Sequence, residues 1–151
     1  MILNRQHEVL VARGPLESFL RRVKRELGLK QSDVTVCLVS DAAMARLNQN
    51  FRMKKGPTDV LSFPSVTRRR PVRLGRRSRP ANSGQQEYLG DIAISPAAAR
   101  RYASKHERKI AKELRVLILH GVLHLLGYDH ETDQGEMDKV EQKLRKRFGL
   151  T

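Results

Sequence analysis

Three of the five histidines in this 151-residue chain fall within one short segment, His120-Gly-Val-Leu-His124-Leu-Leu-Gly127-Tyr-Asp-His130. His120 and His124 are four residues apart, so on a helix both imidazoles leave the same face, one turn above the other. Gly127 then lets the chain turn out of that helix, because glycine reaches positive φ without steric cost. The reversal brings His130 back and completes a set of three nitrogens. Three nitrogen ligands with a fourth position left to water is the arrangement of a catalytic zinc rather than a structural one. The expectation is one zinc ion held by His120, His124 and His130. Zinc is preferred over nickel or copper on ligand type and availability. His7 and His106 have no such neighbours and read as ordinary histidines.

The spacing follows the extended metalloprotease pattern H-E-x-x-H-x-x-G-x-x-H except at one place. Where a protease carries its glutamate, this chain has Gly121. Glycine cannot take a proton from a metal-bound water, so peptide hydrolysis by that route lacks its base. Asp129, beside His130, is either a support for a ligand histidine or a turn aspartate. Asp59 and Asp91 stand at strand ends, where each either faces the site or fixes a turn. Thr58, Asp59 and Ser62 are expected to shape the cleft, and no residue is assigned as general base.

These residues need elements to position them. Residues 2 to 3 and 9 to 11 are short apolar pieces that suggest an initial strand. Pro15 opens a helix through Leu16, Phe19, Leu20, Val23 and Leu27, stopped by Gly28. Val34 to Val39, a β-branched run that includes Cys37, reads as a buried central strand. Ser40 or Asp41 caps a helix whose apolar face carries Met44 and Leu47. Val60, Leu61 and Phe63 resemble a short strand, and Tyr88 to Ile94 another. Ser95-Pro96 starts a helix to about Tyr102. A longer helix runs from about Glu107 to Leu126, and an amphipathic one from about Gln134 to Phe148. This order predicts a single small α/β domain (α+β-like) over residues 1–151, a four-stranded mixed sheet packed with about five helices.

Between them lies residues 65–87, where seven arginines from Arg68 to Arg79 meet only Glu87. Proline and glycine interrupt the segment and no hydrophobic period survives, so it reads as a flexible basic surface loop. Over the whole chain thirty Lys and Arg oppose sixteen Asp and Glu, a formal charge of +14. That imbalance points to a polyanion, and nucleic acid is preferred over a membrane surface. The arginine loop, Lys54, Lys55, Arg100, Arg101 and Lys105 offer phosphate contacts. Aromatic residues are few, with four Phe, three Tyr and no Trp. Phe51 and Tyr128 could stack on bases, with core packing the plainer role for Phe51. No apolar run spans a bilayer, the N-terminus lacks the layout of a signal peptide, and one cysteine excludes an internal disulfide or a cysteine metal site. A cytoplasmic protein is expected.

The segment HGVLHLLGYDH resembles the signature of the YbeY family, the bacterial rRNA maturation endoribonucleases. LNQNFRMKKGPTDVLSFP (Leu47 to Pro64) and LGDIAIS (Leu89 to Ser95) agree with it, in the same order. The resemblance implies a single-domain α/β metalloprotein that cuts single-stranded RNA. Its setting is maturation of the 3′ end of small-subunit ribosomal RNA and ribosome quality control. Implied partners are ribosomal RNA and the small ribosomal subunit with its proteins. The family's metal histidines fall on His120, His124 and His130, and its functional arginine falls on Arg52. Lys55 departs from the family, where an acidic residue is common. The arginine-rich loop is longer and more basic than the family leads one to expect.

From this follows an expected zinc-assisted phosphodiester hydrolysis, with Arg52 and His120 carrying catalysis. A guanidinium can meet the charge that builds on phosphoryl oxygens with two parallel hydrogen bonds. A structural ion pair or a passive phosphate contact is the other role open to Arg52. Two alternatives are a non-catalytic, zinc-containing ribosome-assembly factor and a metal hydrolase acting on a small substrate.

Overall fold

The computed structural model describes residues 1–65 and 87–151. Apart from Ser65 and Glu87, the segment predicted as a flexible basic loop lies outside the described residues. The elements run β1 (Ile2–Asn4), α1 (Arg13–Glu26), β2 (Ser32–Leu38), α2 (Asp41–Arg52), β3 (Val60–Pro64), β4 (Glu87–Ile94), α3 (Pro96–Lys105), α4 (Ile110–Leu125) and α5 (Glu136–Arg147). The predicted order of strands and helices is the observed one.

The sheet order is β1-β2-β4-β3, parallel except for the antiparallel β3–β4 pair. Strand side chains alternate between faces, and here each face has its own core. Val34, Val36, Leu38, Ile92 and Ile94 join α1, α4 and α5 in the main core. Leu61 and Ala93 join Met44 of α2 in a smaller layer, with Cys37, Leu47 and Phe63 packed against it. Cys37 is therefore half-buried rather than fully enclosed. The main core is closed by α4, where Leu114, Ile118, Leu119, Val122 and Leu123 are almost inaccessible. A helix buried over so much of its surface is a rigid mount for side chains on its remaining face.

The expected strand at residues 9 to 11 does not form. Gln6 is buried, and its side chain clasps Val9 from both sides, donating to the Val9 carbonyl at 2.8 Å and accepting from its N–H at 2.9 Å. That clasp satisfies the backbone locally and leaves Val9 buried but Leu10 fully exposed. The caps fall where they were predicted. Ser40 Oγ accepts from Ala43 N–H, and Ser95 Oγ accepts from Ala98 N–H with Pro96 at the first helical turn.

Candidate metal centre and cleft

His120 and His124 stand one turn apart on α4, and His130 returns to them from the following turn. The ligand atoms of the three rings all lie within 4.8 Å of one another. The helix ends in a Schellman arrangement around Gly127, whose φ is 103°. Gly127 N–H donates to the His124 carbonyl at 3.0 Å, and Tyr128 N–H to the Leu123 carbonyl at 3.2 Å. Asp129 then shapes the turn that carries His130, accepting from Glu131 N–H at 3.0 Å. Of its two predicted roles, the turn aspartate is the one observed. Asp133 continues the same path by capping α5, accepting from the N–H groups of Gly135 and Met137.

The hydrogen bonds of the two helical rings set their tautomers. His120 Nδ1 lies 2.6 Å from Glu141 Oε1, and His124 Nδ1 lies 2.9 Å from the Tyr128 carbonyl. A carboxylate and a carbonyl only accept, so both Nδ1 atoms carry the proton and both Nε2 atoms present a lone pair. Those Nε2 atoms are 3.1 Å apart. Two bare lone pairs at that distance repel unless a cation draws them together. Two nitrogens on a tetrahedral zinc, each at about 2.0–2.1 Å, stand roughly 3.3 Å apart, so the donor set fits such an ion. Burial holds His124 below the ordinary histidine range, helped by the repulsion that two protonated rings side by side would feel and opposed by the bond to Tyr128. It is thereby kept in the neutral form that binds metal. His130 is the exposed member of the three, so the centre opens toward solvent on its side.

Glu141 anchors the back of the site from α5. Burial disfavours its charge, yet the His120 hydrogen bond and the nearby Arg145 outweigh this and hold its carboxyl below the usual range. Its second oxygen accepts from Arg145 at 2.8 Å. Neither residue was singled out from the sequence. The available signal was their i, i+4 spacing on a predicted helix, which alone does not say what they face.

The three histidines sit in a cleft of about 490 Å³, walled by β3, the end of α4 and its following turn. Thr58, Asp59 and Ser62 line it as predicted, and Ser62 Oγ donates to the Gly121 carbonyl at 3.2 Å. Arg52 reaches the cleft from the end of α2 and pairs with Glu131 at 3.2 Å. Asp59 lines the cleft, and among the described residues no hydrogen bond or ion pair engages its carboxylate. Asp91 is not in the cleft: it is exposed and accepts a hydrogen bond from Tyr88 Oη. Arg101 is engaged by Asp41 at 2.6 Å, which removes it from the freely available cations. Tyr128 lines the cleft, whereas Phe51 is 65% exposed, so core packing is not its role. His7 and His106 stay outside the cluster. His106 instead stacks on Tyr102, with centroids 4.1 Å apart.

Gly121 explains why the protease pattern is broken. A Cβ there would stand 2.8 Å from two carbons of Ile92, so this position faces the sheet and not the cleft. A glutamate at 121 would enter the core rather than reach the three histidines.

The comparisons agree with this geometry. A family model described as Endoribonuclease YbeY matches residues 2–149. A Koribacter versatilis protein named Endoribonuclease YbeY is 38% identical over 150 residues, covering 99% of this chain and 86% of its own. One of the same name from Solibacter usitatus is 38% identical over 146 residues, covering 97% of this chain and 86% of its own. The solution structure of TM1509 from Thermotoga maritima shares the fold with a TM-score of 0.62. It is 28% identical, and the match covers 99% of this chain and 90% of that one. On the span of the family model and the identity of these relatives, the chain belongs to the Endoribonuclease YbeY family.

Proposed function

We propose that the protein is a zinc-dependent endoribonuclease that cleaves single-stranded RNA, acting in maturation of the 3′ end of small-subunit ribosomal RNA and in ribosome quality control. The observation that carries this reading is the pair of opposed Nε2 lone pairs, joined by a third, exposed histidine inside an open cleft. The name of the relatives, endoribonuclease, supplies the substrate class, and the net charge of +14 suits a polyanion.

His120, His124 and His130 would hold the ion. Zinc bound there would lower the pKa of a coordinated water to about 7 and polarise a phosphoryl oxygen. The chain's own residues do the rest. Glu141 and the Tyr128 carbonyl fix the two helical rings by their Nδ1 protons. Arg52 offers a guanidinium at the cleft wall to the charge that builds on the non-bridging oxygens. In the free protein Glu131 holds Arg52, and an incoming phosphate takes over that partnership. Exposed Lys54 and Lys55 extend the positive rim, contributing affinity without sequence reading.

The test is metal analysis joined to cleavage of a ribosomal precursor RNA by wild type and by His124→Ala. The variant should lose both zinc and cleavage, and a matched duplex should resist the wild type. Equal cleavage by His124→Ala would show that the activity is not metal-centred. A zinc-loaded wild type that binds the RNA without cutting it would favour the non-catalytic assembly factor.

A further inference from the structure

At the end of α2, next to the cleft, Phe51 and Met53 are 65% and 86% exposed. This is not a loose end of the chain. The Phe51 ring rests edge-on against Phe63, with centroids 5.1 Å apart and planes at 73°, and Phe63 packs on the smaller core layer. The turn beyond is clamped from beneath. Buried Asn48 donates to the Gly56 carbonyl at 2.9 Å, while Lys54 N–H reaches the Asn48 carbonyl at 3.3 Å. Met53 itself sits at φ 55°, a left-handed conformation uncommon for a residue with a side chain. Exposed apolar surface and a strained residue, both held in place by the surrounding fold, are features that a partner rather than the free chain rewards.

The position and charge of the patch identify that partner. Arg52, between Phe51 and Met53, lines the cleft, whereas Phe63, whose neighbours Ser62 and Pro64 line it, faces the other side of β3 with the smaller core layer. Lys54 and Lys55 follow directly, and all three cations are accessible. A ligand that matches a flat apolar ring beside phosphate-seeking cations, around the β3 edge from the cleft that Arg52 lines, is a nucleic-acid strand with unpaired bases. A duplex buries its base faces and offers nothing to the ring. We infer that Phe51, braced by Phe63, is a stacking platform for an unpaired base of the RNA strand leaving the cleft past Arg52. This rests on the RNA substrate proposed above and adds a physical basis for selecting single strands.

The chain contains no tryptophan, so Phe51→Trp introduces a lone fluorescent reporter. Its emission should be quenched by a short single-stranded oligoribonucleotide. The quenching should be absent with the matched duplex and with the same strand made abasic. Phe51→Ala should weaken single-strand binding roughly 5- to 150-fold, the equivalent of one lost stack, while Phe51→Tyr stays within about 2-fold of wild type. Zinc content and thermal midpoint should match wild type in all three variants. Binding and cleavage of single strands without any change in tryptophan emission would overturn the platform while leaving the RNA reading intact. So would equal quenching by the abasic strand, or quenching by small-subunit proteins alone. A wild type that binds no RNA would remove both.

Discussion

Glu141 on α5 receives the Nδ1 proton of His120 on α4 across 2.6 Å, and Arg145 one turn further along α5 holds the other carboxylate oxygen. The pair orients the ring and raises the basicity of its Nε2. Glu141→Ala should lower metal affinity about 10- to 100-fold, and Glu141→Gln by less, because a glutamine oxygen still accepts the proton. Competition against a chromophoric chelator measures this. Unchanged affinity in Glu141→Ala would mean that the ring is held by packing alone.

Metal removal should loosen the turn more than the core. His120 and His124 sit on a helix buried among apolar side chains, while His130 rides an exposed turn. Metal at 100 times its dissociation constant adds about 2.7 kcal/mol, or roughly 5–10 °C in Tm for a domain of this size. A strong chelator should lower Tm by that order and speed proteolysis between Gly127 and Gly135. His130→Ala should reproduce the loss without the chelator, and a chelator effect of full size persisting in that variant would contradict it.

Arg52 and Glu131 test whether the cleft's ion pair restrains the guanidinium. Arg52→Ala should retain zinc and lose about 10²- to 10³-fold in kcat, the order seen when a donor to developing charge is removed. Glu131→Gln frees the arginine and removes a carboxylate from the cleft, so it should bind RNA more tightly with a steeper salt dependence. Weaker binding in Glu131→Gln would instead make the pair a structural strut.

Gly121→Ala probes the contact of α4 with the sheet. The added Cβ meets Ile92 at 2.8 Å, and overpacking of this kind costs about 1–3 kcal/mol, offset by roughly 1 kcal/mol from helix propensity. Denaturant unfolding should show a net loss in the wild-type background. In an Ile92→Ala background the same substitution should become stabilising, because the obstructing carbons are gone. The same sign in both backgrounds would refute the contact.

Asp41 links acid stability to the joining of α2 and α3. The Arg101 hydrogen bond, against partial burial and with help from Ser95, holds its carboxyl below the ordinary range. The folded state therefore releases this proton more readily than the unfolded one. The contribution is whole above the ordinary aspartate pKa and is lost as pH falls through the lower folded value. The stability gap between wild type and Asp41→Asn should thus shrink as pH drops below about 4. A gap that is constant from neutral pH down to pH 2 would show that the carboxylate charge is not involved.

The grouping of His120, His124 and His130 was legible in the sequence because its logic is local. Four residues on a helix fix two rings on one face, and a glycine after the last turn is enough to return the third. The order of strands and helices was readable for a related reason, since burial imposes the period of each element on its own apolar residues. Only the tertiary structure decided what each face meets. Glu141 reaches His120 across 21 positions and Arg52 reaches Glu131 across 79. Residues 9 to 11 are apolar enough for a strand, but the Gln6 clasp satisfied Val9 instead. Asp91 and Asp59 were both expected at strand ends, but Asp59 directly precedes β3 and lines the cleft, whereas Asp91 lies within β4 and is exposed, because the packing of the sheet decides which side is inside. Phe51 has the composition of a core residue and the position of a surface one. Periodicity tells which residues share a face, whereas the partner of that face depends on contacts between segments far apart in the chain.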